Sequence, residues 1–568
     1  MSDFTADVLT APIVKPKSSR DDWTMRAFMG VIGIYLIVAL AMPLYAMLSK
    51  SVEDHEGLFV GIANYIEYFS TPALAYSINN SLFIAVITTC ITVTVAFTFA
   101  YALTRSCIPY KGLFKSITMI PILVPSLLPG IALVYLFGKQ GFIPGLLMGN
   151  SIYGPIGIVI AEVFFTLPHA IIIIITSLSI ADSRLYEAAV SLRASKLRIF
   201  FTVTIPGCRY GLISAAFVVF TLAITDFGAP KVIGGDFNVL ATDIYKQVIG
   251  QQNFQMGAVV SVVLLIPAIL AFIVDRIVQR KQVALLSARA VPLEPQPKRG
   301  FDLAMLGYVL LVSFFLIGML AICQYAALVK FYPYDLSLGL HNYQFDVMDG
   351  GGWDSYTNSI KLALYTGFFG TIIVFSGAYL VEKGRGFDQG RALFQFLAMM
   401  PMAVPGLVLG LAYIFFFNHP DNPLGFLYHT MGILVISTIT HFYTVSHLTA
   451  VTALKQMDPE FEAVAASLKQ PFYKTFTRVT VPVCLPAVLD ISIYLFVNAM
   501  TTVSAVIFLY GPDTNLASVA VLNMDDAGDI APAAAMGMMI FYTAAGVRAL
   551  HYFLTLGLEK RTQAWRVR

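Results

Sequence analysis

Six residues able to bind or hand on a polar group fall inside stretches that are otherwise apolar. They are Glu162 and His169 within 154–179, Asp226 near the end of 209–229, His441 within 431–454, and Asp490 and Asn498 within 485–510. An ionisable or amide group in lipid is costly without a polar partner, so such residues mark a route for something polar. Asp226 and Glu162 rank first as path residues, followed by Asn498. Plainer roles are also open. Asp226 precedes Gly228 and Pro230 and suits a helix cap, His169 and His441 suit packed, hydrogen-bonded positions, and Asp490 falls near the entrance of its run.

Catalytic patterns are missing. There is no GxxxxGKS or GxxxxGKT phosphate loop, since Gly138-Lys139 lacks both the preceding glycine and the hydroxyl residue, and neither HExxH nor GxSxG occurs. Paired acid/base groups and metal-spaced clusters are absent too, which argues against a membrane-embedded enzyme. The chain is expected to hold no catalytic residue, no metal and no cofactor. Cys90, Cys107, Cys208, Cys323 and Cys484 show no paired spacing and read as small core residues.

The elements that position these residues follow from composition. The chain has 568 residues, 58% hydrophobic and 12% charged, against about 25% charged in soluble domains. It is a multi-span membrane protein in contact with lipid, and a net charge of +3 gives no case for nucleic acid. Apolar runs long enough to cross a bilayer lie near 27–48, 80–103, 113–137, 154–179, 209–229 and 256–277, then near 303–328, 359–383, 393–417, 431–454, 485–510 and 536–557. The expected fold is an all-α polytopic membrane protein with 12 transmembrane helices in two tandem halves. Six spans per half start both halves from the same side, so the repeat is parallel. The boundaries are a leader at 1–24, a first half at 25–280, a linker at 281–300 rich in proline over 291–298, a second half at 301–560 and a tail at 561–568. The first apolar run is too long for a cleavable signal.

Charge sets orientation. The connector carries Arg276, Arg280, Lys281, Arg289, Lys298 and Arg299, and the tail Lys560, Arg561, Arg566 and Arg568. Loops of opposite parity carry Glu53, Asp54, Glu56 and Glu67, then Asp335, Asp346, Asp349 and Asp354, then Asp513, Asp525, Asp526 and Asp529. The basic side is the cytoplasmic one, which places both termini in the cytoplasm.

The halves repeat one another in detail. RLYEAAVSLRASKLRIFFTVTIP at 184–206 matches EFEAVAASLKQPFYKTFTRVTVP at 460–482, with Pro206 and Pro482 closing the two copies. Leu185 falls on Phe461, Ala189 on Ala465, Leu192 on Leu468 and Phe200 on Phe476, an apolar stripe on one helical face. Arg184, Arg193, Lys196 and Arg198 surround it in one copy, and Lys469, Lys474 and Arg478 in the other. Asn80-Ser81 recurs as Asn358-Ser359, and Ala100-Tyr101 as Ala378-Tyr379. Pro121-x-x-Val124-Pro125 recurs as Pro401-x-x-Val404-Pro405. Each of these prolines removes a backbone donor inside an apolar run, so the helices should kink at Pro121, Pro125, Pro401 and Pro405, either to line a path or simply to pack. A basic amphipathic helix on each half can dock into equivalent grooves of a two-fold symmetric motor.

Glu187-Ala188-Ala189 followed by Ile205-Pro206 resembles the EAA loop of type I, maltose-permease-like ABC importer permeases, and so does 458–468 followed by 479–482. The chain is similar to the fused two-repeat permeases for ferric iron, thiamine and 2-aminoethylphosphonate. Within that group 224–258 and 502–529 resemble the 2-aminoethylphosphonate permeases most. The resemblance implies that Glu187, Ala188, Ala189 and Leu192, with Glu460, Glu462, Ala463, Ala465 and Leu468, dock onto the ATPase. Two departures stand out. Arg193 and Lys469 replace the family's glycine, and the family glutamate aligns with Ala463, one place after Glu462. The implied partners are a cytoplasmic ABC ATPase homodimer carrying ATP and Mg, and an extracytoplasmic solute-binding protein, at the bacterial inner membrane. The implied function is ATP-driven import of a small solute by a subunit that is not itself an enzyme. The alternatives are ferric iron or thiamine as the solute, or an ion-coupled secondary transporter, which would need coupling carboxylates near mid-bilayer.

Overall fold

The structure, a computed structural model, describes residues 20–285, 293–384 and 386–562. Most of the expected leader, 286–292 of the linker and the tail beyond 562 lie outside the described residues, and Arg289, Arg566 and Arg568 with them.

In hydrocarbon every backbone N–H and C=O must be satisfied within the chain, and apolar runs of this length do so as helices. Among the described residues, eight single helices are long and apolar enough to cross: Arg20–Lys50, Pro72–Arg105, Pro155–Ser179, Lys196–Thr225, Phe254–Gln279, Arg299–Leu328, Gly352–Lys383 and Ile530–Gly557. Four bent pairs complete the set, and counting each pair as one span gives 12. The third span, Lys111–Leu123 with Leu128–Phe137, turns by 100°, and the ninth, Asp388–Ala403 with Gly406–Phe417, by 114°. Pro121 and Pro401 open the short helical turns Ile120–Leu123 and Met400–Ala403, and Pro125 and Pro405 sit in the breaks that follow. The tenth and eleventh spans are also bent, by 56° and 79°, while their first-half counterparts run unbroken. In the eleventh, Pro486 begins the helix after the break.

The repeated motifs meet in space. The Leu240 N–H donates to Ser81 Oγ at 2.8 Å, and the Ala517 N–H to Ser359 Oγ at 2.8 Å. Beside them, the Asn80 amide donates to the Asn238 carbonyl at 2.9 Å and the Asn358 amide to the Asp513 carbonyl at 3.0 Å. Each Asn-Ser pair therefore ties the start of the second span of its half to the segment between the fifth and sixth. Phe200 packs on Tyr101 and Phe476 on Tyr379, with ring centres 5.9 and 4.8 Å apart. Just before Pro206 and Pro482 the helix widens to π turns at Phe200–Thr204 and Phe476–Thr480.

The halves are intertwined. The first span packs on the eighth, ninth and tenth, and the seventh packs on the second and third. Polar contacts mark both crossings: Tyr35 hydroxyl to Thr440 Oγ1 at 3.1 Å, and Tyr308 hydroxyl to the Val95 carbonyl at 3.1 Å. A linker near 281–300 divides the sequence but not the packing. An antiparallel hairpin, Val329–Phe331 with Asp335–Leu338, departs from the all-α pattern. From it Tyr332 donates to the Gln140 carbonyl at 2.8 Å and packs its ring at an angle against Tyr135 and Phe142, so the second half grips the first. Cys208, Cys323 and Cys484 are buried, as small core residues should be, whereas Cys90 and Cys107 are exposed.

Candidate docking helices and transport path

The amphipathic repeats fold as short helices, Ser183–Ser191 and Glu460–Ser467. An aspartate opens each: Asp182 accepts the Arg184 N–H at 3.1 Å and Asp458 the Glu460 N–H at 2.9 Å, satisfying donors the helix leaves free. The ends match too. The Ala194 N–H donates to the Ala189 carbonyl and the Gln470 N–H to the Ala465 carbonyl, both at 3.0 Å. These six-to-one bonds need a left-handed residue beforehand, where glycine is favoured. Arg193 at φ +52° and Lys469 at φ +49° occupy those places.

Glu187, Ala188 and Leu192 are exposed, Ala189 half-buried; Glu460, Ala463 and Leu468 are exposed, Ala465 half-buried. Leu192 is 82% exposed and Leu468 64%. Apolar residues held out in this way on a short helix make these two stretches candidates for contact with a partner. Glu462 differs from the others. It turns to its own half, where its carboxylate meets the Lys383 ammonium at 2.6 Å. Tyr186 stands at the matching place in the first half, and the Arg105 guanidinium lies over its ring, 5.3 Å from the centre. Lys383 and Arg105 close the eighth and second spans, so in both halves the end of a long helix is strapped to the amphipathic helix.

Of the expected path residues, the structure brings two together. Glu162 is fully buried in the fourth span and faces Asp226, at the end of the fifth. Asp226 also caps the next turn, accepting the Ala229 N–H at 2.9 Å, and receives the Ser126 hydroxyl from the break in the third span. Neither Glu162 oxygen meets a donor at hydrogen-bond geometry. Asn498 stands apart, donating to the Tyr494 carbonyl on its own helix at 2.8 Å. His169 and His441 lie beside the rings of Phe165 and Phe442. Asp490 meets His551 at 3.3 Å. With Pro206 laid on Pro482, these two positions fall on Ser214 and Asp275, and there the Ser214 hydroxyl donates to the Asp275 carboxylate at 2.6 Å.

Sequence reasoning missed an ion pair between the halves: Lys231, after the fifth span, reaches Asp526 of the second half at 3.0 Å. The Lys231 ammonium also lies 5.1 Å from the centre of the Tyr245 ring. Its only signal was a lone lysine in the apolar stretch 227–233. No cluster of three or more His, Cys, Asp or Glu side chains suited to a metal ion exists among the described residues.

The family described as binding-protein-dependent transport system inner membrane component matches this chain twice, at 93–283 and 358–560. A ferric transport system permease protein of Actinobacillus pleuropneumoniae is 30% identical over 82% of this chain and 69% of its own length. A putative ferric transport system permease protein of Haemophilus influenzae is 29% identical over 77% of this chain and 71% of its own. An Fe(3+)-transport system permease protein of the same organism is 22% identical over 89% and 94%.

Proposed function

Since the chain belongs to the binding-protein-dependent inner membrane component family, in two tandem copies, and is thereby the permease subunit of an ABC importer, we propose that it carries 2-aminoethylphosphonate across the inner membrane. A separate ATPase homodimer, with ATP and Mg bound, supplies the energy, and an extracytoplasmic binding protein delivers the solute. The observation that supports the motor reading is the pair of short helices, one in each half, alike in cap, exposed leucine and left-handed end. With the basic loops in the cytoplasm, both helices face the ATPase. Closure of that dimer pushes both helices and tilts the intertwined halves about the path between them.

The solute reading rests on the likeness of 224–258 and 502–529 to 2-aminoethylphosphonate permeases. A second reading, ferric iron, is favoured by the printed names of the relatives. The two separate in one uptake experiment. Cells expressing the whole importer are given labelled 2-aminoethylphosphonate or ferric citrate, and the preferred solute is the one whose ATP-dependent uptake the other fails to inhibit. The motor reading has its own test: Glu187→Lys reduces co-purification with the ATPase while the membrane fold persists. Unchanged assembly and uptake, or accumulation by the purified chain on an ion gradient alone, counts against it.

A further inference from the structure

We propose that the Glu162–Asp226 carboxyl pair, with Ser126 at its edge, is the station on the transport path that receives the positively charged part of the solute. The proposal rests on the importer reading and adds the chemistry of one site to it. Both candidate solutes carry such a part, the ammonium of 2-aminoethylphosphonate or the ferric ion itself.

Four observations converge. Glu162 is 0% exposed, and among the described residues its carboxyl faces the Asp226 carboxyl and no N–H or hydroxyl donor, a costly state when both acids are ionised. Asp226 and Ser126 in front of it are half-buried and not sealed as Glu162 is. They lie close to the seam between halves, because Ile120–Leu123, just before Ser126, packs on Leu485–Thr501 and Ile530–Thr562 of the second half. Finally, the same seam already carries a charge contact: Lys231, shortly after Asp226 in the chain, crosses it to Asp526.

The acids are not a requirement of the fold. Contacts that the fold needs, such as Ser81 with Leu240 and Ser359 with Ala517, are made in both halves. With Pro206 laid on Pro482, Glu162 falls on Thr438 and Asp226 on Thr502. The Thr438 hydroxyl is satisfied within its own helix, by the Leu434 carbonyl at 2.7 Å. One half thus does without the carboxyls, and the other keeps two of them facing each other in a buried place. A pair of facing carboxyls deep in the chain, of which only Asp226 is held by N–H and hydroxyl donors, matches a visiting cation.

The test uses the full importer, this chain with its ATPase and binding protein, in proteoliposomes. Dicyclohexylcarbodiimide modifies carboxyl groups in apolar surroundings, and mass spectrometry of peptides reads modification at Glu162 and Asp226. Three probes are compared: 2-aminoethylphosphonate, ferric citrate, and ethylphosphonate, which lacks the ammonium. The expected result is protection of about fivefold or more by one cationic probe and none by ethylphosphonate, and the protecting probe identifies ammonium or ferric ion as the source. Equal modification with all probes, or none without any probe, overturns the proposal. In parallel, Glu162→Gln and Asp226→Asn should each lower uptake of the protecting probe about tenfold with the ATPase still bound. Wild-type uptake in both variants overturns the site alone, whereas a wild-type importer that takes up neither cationic probe overturns the solute reading and the site with it.

Discussion

The Lys383 ammonium lies 2.6 Å from the Glu462 carboxylate, tying the end of the eighth span to the second amphipathic helix. Both side chains are largely shielded, 13% and 28% exposed, so the pair holds better than a surface bridge worth about 0–1 kcal/mol. In the first half Arg105 over Tyr186 makes the same strap with different chemistry. If the amphipathic helix meets the ATPase as proposed, a strap of this kind would carry its motion into a long span. Lys383→Ala is expected to leave the ATPase bound and hydrolysing ATP while solute moved per ATP falls about threefold to tenfold. Glu462→Ala should match it, and the double variant should be no worse than either, the sign of a coupled pair. Loss of ATPase binding in Glu462→Ala alone would instead give this carboxylate to the partner.

Arg193 and Lys469 hold left-handed backbone at φ +52° and +49°. For a residue with a Cβ this conformation costs roughly 1–2 kcal/mol. Arg193→Gly and Lys469→Gly should therefore each raise the thermal unfolding midpoint, or leave it level once glycine's extra chain entropy is counted. Arg193→Val is the control, since a β-branched residue tolerates this region worst, and its midpoint should fall. A midpoint that rises for Val and falls for Gly would contradict the backbone account.

Much of this architecture is legible in the chain because membrane helices announce themselves by length and the halves repeat at nearly constant offset. The Asn-Ser and Ala-Tyr pairs could be found by comparing the halves, but why they recur became clear only when Ser81 was seen capping Leu240 and Tyr101 packing on Phe200. The crossing of the first and seventh spans into opposite halves left no trace in periodicity, because it is set by which helix faces fit together. Burial cost pointed to Glu162 and Asp226 first and to Asn498 after them, and the structure separates the acids from the amide. An amide can satisfy itself against the carbonyl four residues back, as Asn498 does with Tyr494, whereas a carboxylate has no proton to give when ionised. Pairing in space also explains a swap invisible to single positions. A Cβ on Gly228 would overlap Ser126, and a Cβ on Gly406 would overlap Ser504, so small and polar residues have traded places between the halves.

Asp525, beside the inter-half ion pair, has its carboxyl pushed up to about 7 from an ordinary 3.8 by burial and then by the charge of Asp526, against the pull of Lys231. The sign follows from proton linkage. A state that hydrates Asp525 returns it to the ordinary value and releases a proton. The arrangement that buries Asp525 is therefore favoured most below 3.8 and loses that advantage as pH rises towards about 7. Amide exchange in Ala517–Ala527, corrected for intrinsic rate, should speed up across that window, and Asp525→Asn should flatten the trend. Protection that grows with pH in the wild type would refute the assignment.

Lys231 and Asp526 join the halves at 3.0 Å, with Lys231 21% exposed and Asp526 46%. An ion pair this open is worth at most about 1 kcal/mol. Its position at the seam makes that small energy count, since anything that favours the closed arrangement over the open one shifts their ratio by about fivefold per kcal/mol. Lys231→Gln should release the seam, raising ATP hydrolysis without solute about twofold to fivefold and lowering uptake per ATP. Asp526→Asn should do the same more weakly, because Lys231 keeps the Tyr245 ring face as a second partner. Exchanging the charges, Lys231→Asp with Asp526→Lys, restores the attraction across the seam but loses the ring contact, so basal hydrolysis should return most of the way to the wild-type rate. If the exchange behaves no better than Lys231→Gln, the lysine acts through something other than the aspartate, and Asp525 becomes the first place to look.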